Sequence, residues 1–173
     1  MKILDNINEI VRDDLISTIQ PNGRISIAAA YFSIYAYQEL RSQLEQIDEL
    51  RFIFTSPTFV AEKASKAQRE FYIPRISREI SLYGTEFEVK LRNELTQKAI
   101  AKECADWIRR KAVFKSNVTQ EQMMGFMTVD KSTYMPINGF TTVDLGCERG
   151  NNAYYPVQKT ESFENANYFL KLF

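Results

Sequence analysis

Two compact apolar runs, RISIAAAYF (Arg24–Phe32) and LRFIFTSP (Leu50–Pro57), constrain this chain more than any other feature. Each is too short for a buried helix, the first is β-rich at its start, and the second is closed by proline. Between them, residues 34–47 return to helical spacing through Tyr37, Leu40 and Leu44. Upstream, Ile3, Ile7, Ile10, Val11, Leu15 and Ile19 recur at helical spacing until Pro21-Asn22-Gly23 stops the pattern with turn residues. Helix, strand, helix, strand is the grammar of a parallel sheet with a crossover connection, so the expected class is α/β.

The remainder is read more coarsely. Residues 61–85 are polar and basic without a clean period, and Pro74 and Gly84 break whatever helix forms there. TEFEVKLR (Thr85–Arg92) alternates like a strand. It leads into a helix expected from about Arg92 to Lys111, with Ile100, Cys104, Trp107 and Ile108 on one face. Gln122–Gly150 then holds two short apolar runs around a turn-rich gap. A chain of 173 residues, 45% hydrophobic, is long enough for one core, so a single domain spanning 1–173 is expected. The longest apolar run, Ile27–Phe32, is far too short to span a bilayer. The N-terminus carries Asp5, Glu9, Asp13 and Asp14 without the basic and apolar regions of a signal peptide, so a cytoplasmic location without membrane partners is expected. Cys104 and Cys147 form no C-x-x-C and are too few for a disulfide framework or a zinc site, so no metal is expected.

The chain contains no histidine. That removes the usual general acid/base, the usual activator of a serine or cysteine nucleophile, and the commonest metal ligand. The formal net charge is zero, so any electrostatic argument is local. Residues 1–60 hold 5 Lys/Arg against 8 Asp/Glu, residues 61–117 hold 13 against 8, and residues 118–173 hold 4 against 6. The neutral total therefore hides a basic middle. On the predicted helix Lys98, Lys102 and Arg109 fall on one stripe, with Arg110 and Lys111 closing the last turn. The plainer reading is a solvated face with cations at the C-terminal end of the dipole, and the sharper one is a ridge that contacts phosphates.

Glu86-Phe-Glu88-Val-Lys90 has the E-x-K spacing found in metal-dependent nucleases, where carboxylates hold Mg²⁺ and lysine stabilises charge. Its usual aspartate partner on a preceding strand is missing, Asp48 being about 40 residues upstream, so an exposed strand face is the plainer reading. No G-x-x-x-x-G-K-[ST] and no G-x-G-x-x-G occurs, which leaves the sequence given without a nucleotide cradle, and no cofactor is expected for this domain.

The element order, together with NGFTTVDLG (Asn138–Gly146), resembles the phospholipase D-like domain, whose signature is H-x-K-x(4)-D-x(6)-G-S-x-N. With the signature glycine on Gly139, the family's histidine falls on Gly125, its lysine on Met127, its aspartate on Ser132, its serine on Phe140 and its asparagine on Thr142. A shifted register, with the pair on Thr128 and Asp130, fails equally. LRNELTQKAIAKECADWIRRKAVFKSN (Leu91–Asn117), NGFTTVDLGCERGNNAYYPV (Asn138–Val157) and the closing YFLKLF are similar to the phospholipase D-like segment that precedes the motor of bacterial Swi/Snf-type superfamily-two helicases.

The resemblance implies a phospholipase D-like mixed sheet flanked by helices, belonging to a longer helicase-like, ATP-hydrolysing protein. Every catalytic position is replaced, and the family's chemistry needs histidine as nucleophile and lysine on the phosphoryl oxygens, so an inactive module is implied. The expected role is nucleic-acid binding, DNA in first place, or docking of motor domains in the same chain. Because the family builds one site from two motif copies, the resemblance also implies a homodimer through a surface near Met123–Thr128. The alternatives are a metal-dependent nuclease using Glu86, Glu88 and Asp130 with Lys90, and a purely structural interaction domain.

Overall fold

Seven strands pair into one mixed sheet because each carries an alternating or continuous apolar register that needs cover. The computed structural model describes residues 1–55, 94–119, 121–148 and 156–173. In spatial order the sheet runs β1 (Lys2–Leu4), β9 (Val157–Glu161), β7 (Ser132–Met135), β6 (Phe126–Val129), β2 (Arg24–Ala29), β4 (Glu49–Phe54) and β5 (Ala112–Ser116). β2, β4 and β5 are mutually parallel, and every other pairing is antiparallel. A small parallel pair, β3 (Tyr31–Phe32) with β8 (Gly139–Phe140), extends the C-terminal end of β2. The class is thus mixed α/β, as the two apolar runs require, with β2 and β4 parallel.

Two sequence-based helices come out differently. The Ile3–Ile19 pattern divides into β1 and a short α1 (Val11–Thr18). The Asp5 carboxylate accepts hydrogen bonds from the backbone N–H groups of Ile7, Asn8 and Glu9 at 2.9, 2.7 and 3.0 Å, and Asn6 has φ 55°, so the chain turns instead of winding on. Asn6 Oδ1 then accepts from Val11 N at 2.9 Å and starts α1. Helical periodicity lost to strand pairing here, because Lys2–Leu4 can complete the sheet edge along β9. The pattern over 34–47 divides into α2 (Ile34–Glu39) and α3 (Arg41–Leu44), with Leu40 between them at φ −110°, ψ 12°. Ser33 caps α2 by accepting from Tyr35 N and Ala36 N. The long basic helix forms as expected, as α4 (Glu94–Lys111), and a last helix α5 (Phe163–Leu170) is capped by Ser162.

The sheet has two unequal faces. On one, the register places Lys2, Lys159, Tyr134, Met127, Ile27, Phe52 and Phe114 in a single row across all seven strands. This face carries the main core together with α1 to α4. Phe32 meets Phe52 edge-on at 5.6 Å and Phe114 edge-on at 5.1 Å, and it stacks on Phe140 at 5.5 Å. α4 lays Ile100, Cys104 and Trp107 against α2 and α3. The Trp107 ring lies 5.1 Å from Tyr37, and its Nε1 donates to the Leu44 carbonyl at 2.9 Å. The opposite face carries the row Thr160, Thr133, Thr128, Ser26, Arg51 and Val113, and among the described residues α5 is the helix that packs on it.

Trp107 is wholly buried and satisfies an α3 carbonyl. Trp107→Phe should therefore lower unfolding free energy by about 1–3 kcal/mol, combining a small cavity with one lost hydrogen bond. Urea denaturation followed by circular dichroism checks this, and a change within experimental error would refute the anchoring role.

Candidate functional site

In open α/β sheets ligands gather at the carboxyl ends of parallel strands, which here means the ends of β2, β4 and β5. Four signature positions arrive at this edge. Gly125 directly precedes β6, and Gly139 and Phe140 form β8 beside the continuation of β2. Thr142 follows, buried. Met127 lies two residues inside β6, with its side chain in the main core. Ser132 is not brought to this edge: it starts β7, pairs with Val129 at the far end of the hairpin, and is buried.

The edge is closed by backbone. A Cβ at Gly125 would stand 1.7 Å from the Ile137 carbonyl oxygen, closer than any side chain can come. The same two residues are joined by a hydrogen bond from Ile137 N to Gly125 O at 2.9 Å. No histidine, nor any other side chain, fits at Gly125 in this conformation. Around it, Ala30 N donates to Asn138 O, Ser33 N to Phe140 O and Thr55 N to Ala29 O, at 2.9 to 3.0 Å. Asn117 donates to the Thr55 and Glu121 carbonyls and accepts from Thr119. Thr141 donates to the Asp144 carboxylate, whose Oδ2 would stand 2.8 Å from a Cβ at Gly139 and would have to shift to admit one.

Thiol chemistry is equally suppressed. Burial pushes the Cys104 thiol up to about 12 and the Cys147 thiol up to about 11, so both stay protonated and weakly nucleophilic at neutral pH. Among the described residues no group of three His, Cys, Asp or Glu side chains is placed to hold a metal. Asp130 has a backbone role: at φ 49° in the β6–β7 turn, its Oδ1 accepts from Arg24 N at 3.0 Å. Glu86, Glu88 and Lys90 lie outside the described residues.

α4 carries all five cations of the predicted ridge, but in two groups. Lys98, Lys102 and Arg109 share its outer stripe, and all three are exposed. Lys98 and Lys102 have no ion pair among the described residues, whereas Arg109 holds Asp106 at 2.7 Å one turn back. Arg110 and Lys111 are tied down. Arg110 pairs with Glu45 at 3.1 Å, and Lys111 Nζ donates to the Ile47 carbonyl at 2.8 Å, fastening α4 to the end of α3 and the approach to β4. The segment Met123–Thr128 reaches the surface mainly at Met124, since Phe126, Met127 and Thr128 are buried.

One charged cluster escaped the sequence reading. Asp14, only 7% exposed, receives Lys159 Nζ on Oδ2 at 2.8 Å, Tyr134 Oη on the same oxygen at 2.8 Å, and Lys2 Nζ on Oδ1 at 3.0 Å. Lys159, 8% exposed, also donates to Thr18 Oγ1 at 2.7 Å. The signal was present as a charge at an inward position in two elements: Asp14 shares the buried side of α1 with Val11 and Leu15, and Lys159 alternates with Val157 toward the core. Burial pushes the Asp14 carboxyl up, but the hydrogen bonds from Lys159, Tyr134 and Lys2 outweigh it and hold the group below its ordinary value of 3.8. Burial raises Tyr134 well above a phenol's usual range, which leaves it a donor and no base. The cluster is a structural pin with every member satisfied.

No family model, curated protein or solved structure matches the chain.

Removing the Asp14 charge leaves the buried Lys159 with the exposed Glu161 carboxylate, at 3.5 Å, as its remaining ion partner among the described residues. Asp14→Asn should cost about 3–5 kcal/mol at pH 7, as breaking one side of a buried ion pair does. Because the folded pKa of Asp14 is depressed, its contribution is present above the unfolded value near 4 and is lost as pH falls through the lower folded value. The wild type should thus lose stability below about pH 4 more steeply than Asp14→Asn. Denaturant titrations at pH 7 and pH 3 check both parts, and parallel pH dependence of the two proteins would refute the assignment.

Proposed function

We propose that this chain is a catalytically silent phospholipase D-like module of a helicase-like protein that holds nucleic acid by its phosphate backbone. The observation that carries the binding half is the open stripe of Lys98, Lys102 and Arg109 on α4, two of whose cations have no ion pair among the described residues. Cations of this kind release condensed counterions when they meet phosphates, and contacts to phosphate carry no sequence information of their own. DNA is the first candidate ligand, because the resemblance is to domains that precede DNA motors. The silent half is supported by the Ile137 carbonyl that occupies the place a side chain at Gly125 would need, and by the burial of Met127 in the core. A phosphodiester nucleophile requires an exposed, activated side chain, and neither position supplies one.

The two groups of cations make the reading testable in detail. With three cations on phosphates, log Kd against log salt should have a slope magnitude of roughly 3, with little difference between sequences. Lys98→Ala and Lys102→Ala should each weaken binding and flatten that slope by about one unit. Arg110→Ala should leave the slope unchanged while lowering stability by up to about 1 kcal/mol, because it removes an exposed pair with Glu45. Fluorescence anisotropy with labelled duplex and single strand at several salt concentrations makes the measurement. Absence of binding at low salt would refute the proposal, as would binding insensitive to salt.

A further inference from the structure

The face of the sheet that α5 covers is built unlike a core. Its central row is Thr160, Thr133, Thr128, Ser26 and Arg51, and Thr133, Thr128 and Ser26 are each about 1% exposed. Within it, Ser26 Oγ, Thr133 Oγ1 and Arg51 Nε are buried atoms without a hydrogen-bond partner, and Asn165 Oδ1 on α5 is a fourth. Leaving such groups dry and unpaired opposes closure of whatever covers them. None of the apolar residues on this face belongs to the main core, and Phe126 packs instead on Phe169 at 4.6 Å and on Phe173 at 5.8 Å.

Among the described residues α5 is thinly held in return. Ala166 is its one fully buried residue, while Phe163 and Tyr168 are 70% and 66% exposed. Besides the Phe126 contacts, its region is fastened by Ser162 N to Lys131 O at 3.0 Å, Lys115 Nζ to Phe173 O at 3.3 Å, and Arg51 over the Phe173 ring at 5.4 Å. All of these sit at its two ends or on one aromatic pair.

We infer that α5 is a detachable cover: it lifts off the polar row as a unit while the opposite face, with α1 to α4, stays folded. α5 packs on β6, β7 and β9, so opening returns Thr133 Oγ1 and its own Asn165 Oδ1 to water and leaves the main core untouched. Few buried apolar contacts and costly buried polar groups are what place an element at the low-stability end of a protein.

Native-state hydrogen exchange on the full chain tests the inference. Amides of Asn167–Leu170 should be protected at least about 100-fold less than those of Ile27 and Ala28 in β2, with little dependence on low denaturant, as local openings show. Phe169→Ala should abolish α5 protection while β2 keeps its own. Thr133→Val, which removes one orphaned hydroxyl at nearly constant shape, should raise α5 protection several-fold. Equal protection and equal denaturant dependence in α5 and β2 would overturn the inference, as would global unfolding of Phe169→Ala or lower α5 protection in Thr133→Val.

Discussion

The Asp14 carboxylate is the point on which the antiparallel half of the sheet depends. It sits on α1 and receives cations from β1 and β9 and a phenol from β7, so one side chain fixes three strands that no crossover helix orders. A charge so placed is unforgiving. Its worth lies less in net stabilisation than in the penalty for every arrangement that separates the partners, because each would leave a dry carboxylate or ammonium. The parallel half needs no such device. There β2 and β4 are largely apolar and β5 alternates, with Phe52, Phe54 and Phe114 packed on one another on the core face, and burial of that face favours their register.

This division explains what could be read in advance. Arg24–Phe32 and Leu50–Pro57 announced the parallel strands because their apolar runs are self-sufficient, and α4 was legible from Ile100, Cys104 and Trp107 for the same reason. β1 was not legible. Ile3 and Ile7 matched a helical period yet stand exposed, because Asp5 turns the backbone and the open edge of β9 captures Lys2–Leu4. A local pattern yields when a long-range partner offers a whole row of backbone hydrogen bonds. The Asp14 cluster was hidden for a related reason: joining Lys2, Asp14, Tyr134 and Lys159 spans nearly the full length of the chain, and only the finished register brings them together.

The signature edge shows the difference between a lost side chain and a lost site. Reading the sequence, Gly125 and Met127 are substitutions, and substitutions can be reversed. In the fold, the Ile137 carbonyl and the hydrogen bonds from Ala30, Ser33 and Thr55 fill the edge with backbone, so the surroundings are built for glycine. Glycine here serves close approach of two backbones, a role that any Cβ destroys. In this conformation the edge offers backbone contacts where a reactive side chain at Gly125 would need room.

Charge tells the same story on α4. The basic middle of the sequence counts Arg109, Arg110 and Lys111 alike, but the fold assigns them different tasks. Arg110 pairs with Glu45 and Lys111 donates to the carbonyl of Ile47, acting as fasteners between α4 and the crossover it packs against. Lys111 also places a cation at the C-terminal end of an 18-residue helix, where the dipole favours it. Only Lys98, Lys102 and the outer face of Arg109 remain to meet a partner, spaced one and then two turns apart along some 16 Å of helix by the rise of about 1.5 Å per residue. Phosphates follow one another closely along a nucleic-acid strand, so a stripe of this length has room to meet more than one of them. If such a stripe meets phosphates, those contacts fix position and carry no sequence information of their own.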